Sequence, residues 1–91
     1  MSDILKKGSK GEPVRELQTR LAQLGFTVTA DGQFGDITHN IIIAVQAIFG
    51  YDIDGSVGPA TDKLIHKQVE LGWNLERARQ HGYPTNPQAQ A

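Results

Sequence analysis

Ninety-one residues without a cysteine suffice for one hydrophobic core held by packing alone, and they exclude a disulfide scaffold and any Cys-ligated zinc or iron–sulfur site. Nine Lys and Arg against ten Asp and Glu leave a net charge of -1, which supplies no drive toward a polyanion and argues against nucleic acid or an anionic membrane as partner. No run of apolar residues reaches membrane-spanning length, and Met1-Ser2-Asp3-Ile4-Leu5-Lys6-Lys7 lacks the apolar stretch of a signal peptide, so action outside the cytoplasm would need another means of delivery.

The first predicted helix runs from Glu12 to Leu24. Val14, Leu17, Leu21 and Leu24 recur at intervals of three and four and share one face, while Arg15, Glu16, Gln18, Arg20 and Gln23 are read as mostly outward. Pro13 suits the first turn, Gly11 permits the sharp start, and Gly25 ends the helix with Phe26 placed to fold back onto it. Thr27-Val28-Thr29 is β-branched and alternating, a short extended piece too small for a sheet of its own. Asp31-Gly32 signals a turn, Phe34 an anchor dropped into the core, and Gly35 a fresh start. From Asp36 the helical period resumes, with Thr38, Ile41, Ile42, Val45, Ile48 and Phe49 as a broad apolar stripe that Gly50 stops.

The same grammar then repeats. Asp54-Gly55-Ser56-Val57-Gly58-Pro59-Ala60-Thr61 matches Asp31-Gly32-Gln33-Phe34-Gly35-Asp36-Ile37-Thr38, each copy combining a turn, one buried anchor and a glycine-led helix start. Pro59 stands in the first-turn slot that Asp36 holds in the earlier copy, which makes Gly35 and Gly58 the caps. Asp31, Gly32 and Gly35, with Asp54, Gly55, Gly58 and Pro59, are therefore read as structural turn residues that contact no ligand. A third helix carries Thr61, Leu64, Ile65, Gln68 and Val69, with Leu71 near its end, and Gly72 breaks it. Asn74 caps a short helical extension over 73–82 in which Leu75 and Ala78 face inward and Trp73 and Tyr83 pack on the body. Residues 84–91 hold two prolines and no large apolar side chain, the composition of a flexible tail or the start of a linker. The expected architecture is all-α: a compact three-helix bundle with an additional short C-terminal helix, one domain over 1–83.

Catalytic chemistry finds no foothold. His39, His66 and His81 lie in separate elements with no His-x-x-x-His pair, so no metal site is expected, and Ser2, Ser9 and Ser56 sit in no nucleophile motif. The turn aspartates lack the twelve-residue ligand ladder of a calcium loop. No cofactor is implied. One position breaks the core pattern: at 100° per residue Ile43 falls opposite Ile42, Val45 and Phe49, among Asp36, His39, Asn40 and Ala47, where an apolar residue ringed by polar ones suits a small contact site.

Four stretches together carry a family resemblance. Leu5-Lys6-Lys7-Gly8-Ser9-Lys10-Gly11, then Val14-x-x-Leu17-Gln18-x-x-Leu21-x-x-Leu24-Gly25-Phe26, Asp31-Gly32-x-Phe34-Gly35-x-x-Thr38 and Asp54-Gly55-x-Val57-Gly58-Pro59-x-Thr61-x-x-Leu64 resemble, over residues 4–67, the peptidoglycan-binding domain found beside bacterial and phage cell-wall hydrolases. The resemblance implies a non-catalytic targeting module that binds the glycan or stem peptide of peptidoglycan for a lytic enzyme such as an endolysin, acting at the cell wall or in the periplasm. It supplies no catalytic residues. Ile41-Ile42 and Val45-Gln46 replace the Ala-Val and Phe-Gln usual in the second helix, Tyr51 stands where a Leu is common, and residues from Gly72 onward lie outside the match. On this reading a catalytic domain is expected after residue 91. The candidate binding surface is a shallow groove beside the start of the second helix, with Gln33, Asp36, His39, Asn40 and Ile43 as contacts and Lys10 and Arg15 adding attraction to the acidic stem peptide. A structural or protein-interaction domain that keeps this fold without wall binding is the alternative.

Overall fold

A computed structural model describes residues 4–80. Its helices are α1 (Glu12–Gln23), α2 (Asp36–Ile48), α3 (Pro59–Leu71) and the short α4 (Leu75–Gln80). The three-helix bundle with a fourth short helix is as expected. Gly35 and Gly58 cap α2 and α3 in extended conformation with no side-chain cap, and Pro59 opens α3 where its missing N–H is no loss.

All three long helices stop by one device. A glycine of positive φ (Gly25, Gly50, Gly72) follows each, and the next residue, an aromatic, returns its N–H to a carbonyl five positions back: Phe26 to Leu21, Tyr51 to Gln46, Trp73 to Gln68. This satisfies carbonyls that the helix end would leave bare, and it turns the chain sharply. Phe26, Phe49 and Trp73 then meet, Trp73 stacked on Phe26 with centroids 6.3 Å apart and edge-on to Phe49 at 5.2 Å. Asn74 caps α4 through Oδ1, which accepts the Glu76 N–H at 2.9 Å, and the Leu75 N–H donates to the Leu24 carbonyl at 2.7 Å, seating α4 on the end of α1. Tyr83 and the 84–91 segment lie outside the described residues.

The core is built as the periodicity predicts. Val14, Leu17, Leu21 and Leu24 of the first helical segment, Ile41, Ile42 and Val45 of α2, and Leu64 and Ile65 of α3 close around the two anchors Phe34 and Val57. One reading holds and one changes. Thr27-Val28-Thr29 joins no ladder, and the isolated bridges among the described residues, Leu5 with Val57 and Lys10 with Gln33, belong to the chain before α1. That chain runs across both turns: Leu5 exchanges both backbone hydrogen bonds with Val57, while Ser9 and Gly11 pair with Phe34 and Gly32. Gln18, read as outward, is instead buried at 1% exposure and in the same class as the core leucines. It lies on the flank of the α1 stripe, where the first turn folds over it.

Candidate functional site

Gln18 and Gln46 explain why the two turns have their shape. The Gln18 Oε1 accepts the Gly32 N–H at 2.9 Å, and its Nε2 donates to the Asp31 carboxylate (3.2 Å), the Gln33 carbonyl (2.8 Å) and the Thr38 hydroxyl (3.0 Å). Gln46 does the same one helix later. Its Oε1 accepts the Gly55 N–H at 3.0 Å, and its Nε2 donates to the Asp54 carboxylate (2.9 Å), the Ser56 carbonyl (2.9 Å) and the Thr61 hydroxyl (3.2 Å). The two hydrogens of each Nε2 are shared among three acceptors that the curl of the turn brings within reach, so polar groups that would otherwise be desolvated and unpaired have a partner. Asp31 and Asp54 brace their turns further by accepting the N–H two residues on, from Gln33 and Ser56 at 2.9 Å each. The backbone N–H of Gln33, and after it the Gln18 amide, holds the Asp31 carboxyl below its ordinary range; Ser56 and Gln46 act likewise on Asp54. The doubled motif thus has a structural occupation.

Beside the first turn lies an open groove of about 430 Å³, bordered by Val28, Thr29, Asp31, Gln33, Asp36 and Ile37. Two of the sequence candidates, Gln33 and Asp36, are here. Asp36 is exposed and ion-paired with Lys7, whose hydrogen bond and charge pull its carboxyl below the usual value. Arg15 is exposed on α1, 3.5 Å from Glu12, and its Cβ flanks the turn at Gly32. Asn40 is exposed one turn along α2.

The remaining candidates separate. Ile43 is half-buried and borders neither this groove nor the larger one described below. Beside half-buried Val28, the groove presents an exposed apolar residue in Ile37, 65% exposed, which sequence reading passed over because a helix start seldom advertises which of its side chains is inward. His39 is half-buried and leans the other way, its ring laid against Gly55 of the second turn and its Nδ1 buried with no hydrogen-bond partner. Lys10 borders a second and larger groove, about 500 Å³, between the N-terminal segment, α1 and α3. Lys10 stands opposite Gln33 in an isolated bridge whose hydrogen bonds are made by the flanking pairs, Phe34 N–H to the Ser9 carbonyl and Gly11 N–H to the Gly32 carbonyl, so the two grooves adjoin. The signal for Gln18 was present in the sequence: Leu17-Gln18 and Val45-Gln46 each set a glutamine directly after a core aliphatic residue.

Among the described residues no group of three or more His, Asp or Glu is placed to hold a metal ion, and no helix is long and apolar enough to cross a membrane. The model of the family described as "Putative peptidoglycan binding domain" matches residues 10–65. The chain belongs to this peptidoglycan-binding domain family. Both turn units, from Gln18 to Thr61, fall inside the match. The domain is 42% identical over 86 residues to the N-acetylmuramoyl-L-alanine amidase CwlL of Bacillus licheniformis, covering 91% of this chain and 23% of that protein. It is 41% identical over 69 residues to a zinc D-Ala-D-Ala carboxypeptidase of Streptomyces albus G, covering 72% of this chain and 27% of that protein. The peptidoglycan-binding domain therefore spans about a quarter of the length of these two curated relatives. Among solved structures, the SleB N-terminal domain is similar with a TM-score of 0.72 at 36% identity, covering 76% of this chain and 96% of that one.

Proposed function

We propose that this domain binds peptidoglycan without cleaving it and holds a covalently attached or partner cell-wall hydrolase on its substrate, in the cell wall or periplasm. The observation that carries the reading is the family match over residues 10–65 together with the share of the hydrolase relatives that it accounts for, about a quarter of an enzyme whose remainder is free to do the chemistry. The groove at the start of α2 supports it physically. Gln33 and Asp36 offer hydrogen-bonding groups, Ile37 offers an exposed apolar face, and the N–H groups of the first turn of α2 have no side-chain cap. Such a shallow surface gives affinity of roughly micromolar order, adequate for a tether that raises the local concentration of an attached enzyme.

Co-sedimentation of the purified chain with insoluble peptidoglycan sacculi tests the proposal. The chain pellets with sacculi above an unrelated protein of the same charge, and Ile37→Asp combined with Gln33→Ala lowers the bound fraction while the thermal midpoint holds. Failure of the unaltered chain to pellet removes the wall-binding reading and leaves a structural or protein-interaction role. Equal pelleting by the variant removes only this groove.

A further inference from the structure

The larger groove has a composition that the smaller one lacks. Its apolar contacts are exposed Ile4 and Pro13 and half-buried Leu5, set over the buried Leu17 and Val57. Its rim carries two cations, Lys10 from the N-terminal segment and Arg20 from α1, neither of which has a side-chain hydrogen bond or ion pair among the described residues. Two carboxylates share the rim, Glu16 on α1 and Asp62 on α3, the latter 3.6 Å from His66. At about 500 Å³ it is of the size that holds small ligands, which is on the order of 300–1,000 Å³.

A groove that sets exposed apolar side chains among separate charges of both signs is poorly matched to a neutral sugar chain, which offers no counter-charge to Lys10, Arg20 or Glu16. It matches a short peptide that carries carboxylates and an ammonium on a backbone with small aliphatic side chains. We propose that this groove, between the N-terminal segment, α1 and α3, binds the peptide portion of peptidoglycan, with Lys10 and Arg20 receiving its carboxylates, Glu16 and Asp62 its ammonium group, and Ile4, Leu5 and Pro13 its methyl groups. The inference rests on the wall-binding reading and assigns the peptide, rather than the glycan, to this face. Charge-assisted contacts to carboxylates are about twice as strong as neutral ones, and Arg gives them direction, so the cations set the preference.

The test uses the complete chain, labelled with 15N, titrated with a synthetic stem tetrapeptide, with the same peptide amidated at its carboxyl groups, and with a peptide-free glycan oligomer. The tetrapeptide is expected to shift the amides of Lys10, Leu17, Val57 and His66, amidation to weaken binding at least about tenfold, and Lys10→Glu with Arg20→Glu to do the same at an unchanged thermal midpoint. Ammonium-side support comes from Asp62→Asn, expected to weaken the tetrapeptide less than the cation reversal does. Shifts confined to the α2 groove, or equal affinity in the charge-reversed protein, overturn the inference. A parallel pelleting assay separates its failure from that of the wall-binding reading: equal recovery on sacculi stripped of peptide and on intact sacculi removes the peptide groove and keeps wall binding, and recovery on neither removes both.

Discussion

Gln18 and Gln46 occupy equivalent places in two copies of one hydrogen-bonded unit, each receiving a glycine N–H and donating to an aspartate, a carbonyl and a threonine. Replacing either by leucine keeps the volume but strands a buried N–H and a carbonyl, groups that cost about 1–3 kcal/mol each when left unpaired. Gln18→Leu and Gln46→Leu are each expected to lower stability by about 2–4 kcal/mol in urea unfolding. Near-neutral outcomes would show that water enters the turns and takes over the bonds.

Acid should loosen the same units. The folded Asp31 and Asp54 carboxyls titrate below their ordinary range, so the fold prefers them ionised. Their contribution is present above the unfolded carboxylate pKa, about 3.9, and drains away as pH falls through the depressed folded values. Thermal midpoints followed from neutral pH downward should fall below about pH 4, and Asp31→Asn with Asp54→Asn, which keeps an oxygen acceptor, should flatten that fall. Asp36 contributes in the same direction through Lys7, but both groups are exposed, so added salt should erase its share first.

Gly55 cannot take a side chain for two separate reasons. Its φ is +73°, and a Cβ there would lie 2.8 Å from Nδ1 of His39. Gly55→Ala should cost about 2–4 kcal/mol, the sum of left-handed backbone strain and a forced shift of the imidazole. In a His39→Ala background only the backbone part, about 1–2 kcal/mol, should remain. A double-mutant cycle by chemical denaturation reads the difference, and strict additivity would show that the ring is not what fills that space.

Trp73 is the only tryptophan and reports on the docking of α4. Phe26→Ala removes the ring stacked on it and should cost about 2–3 kcal/mol, since the site is half-buried rather than sealed. Fluorescence should shift to the red, and amide exchange over Leu75–Gln80 should quicken before that of α1. An unchanged emission maximum would show that Phe49 alone holds the indole.

The helices and the core were legible in the sequence because they rest on periodicity. Leu17, Leu21, Ile42, Val45 and Ile65 announce their burial by spacing alone, and the glycine before each of Phe26, Tyr51 and Trp73 marks where a helix must stop. The turns were legible as turns but not as units, because residue type does not tell a glutamine facing water from one enclosed by a turn, and only the recurrence of Leu17-Gln18 as Val45-Gln46 marks the pair. Only the folded return of the Asp31 and Asp54 loops supplies their partners. The candidate site was half legible: Gln33 and Asp36 share a groove, whereas Ile43 and His39 do not border it, the latter because a residue next to Thr38 on α2 is carried round toward the following turn. Helical angle predicts a direction from one axis, and it contains no information about which neighbouring loop will arrive there.

The two units also differ in one dimension that has a consequence for how this fold tolerates change. Thirteen positions separate Gln18 from Asp31, but only eight separate Gln46 from Asp54, and the same set of bonds closes at the end of both. What the amide requires is the arrival of Asp-Gly, not a route of fixed length. Three of the five extra positions lengthen the helix between the glutamine and its terminal glycine, and the other two fall between Gly25 and Asp31, where no ladder holds the backbone. Insertions there should be absorbed as slack, while a single residue added between Asp31 and Thr38 would move the acceptors off the glutamine and undo the turn. Length is free on one side of each aspartate and fixed on the other.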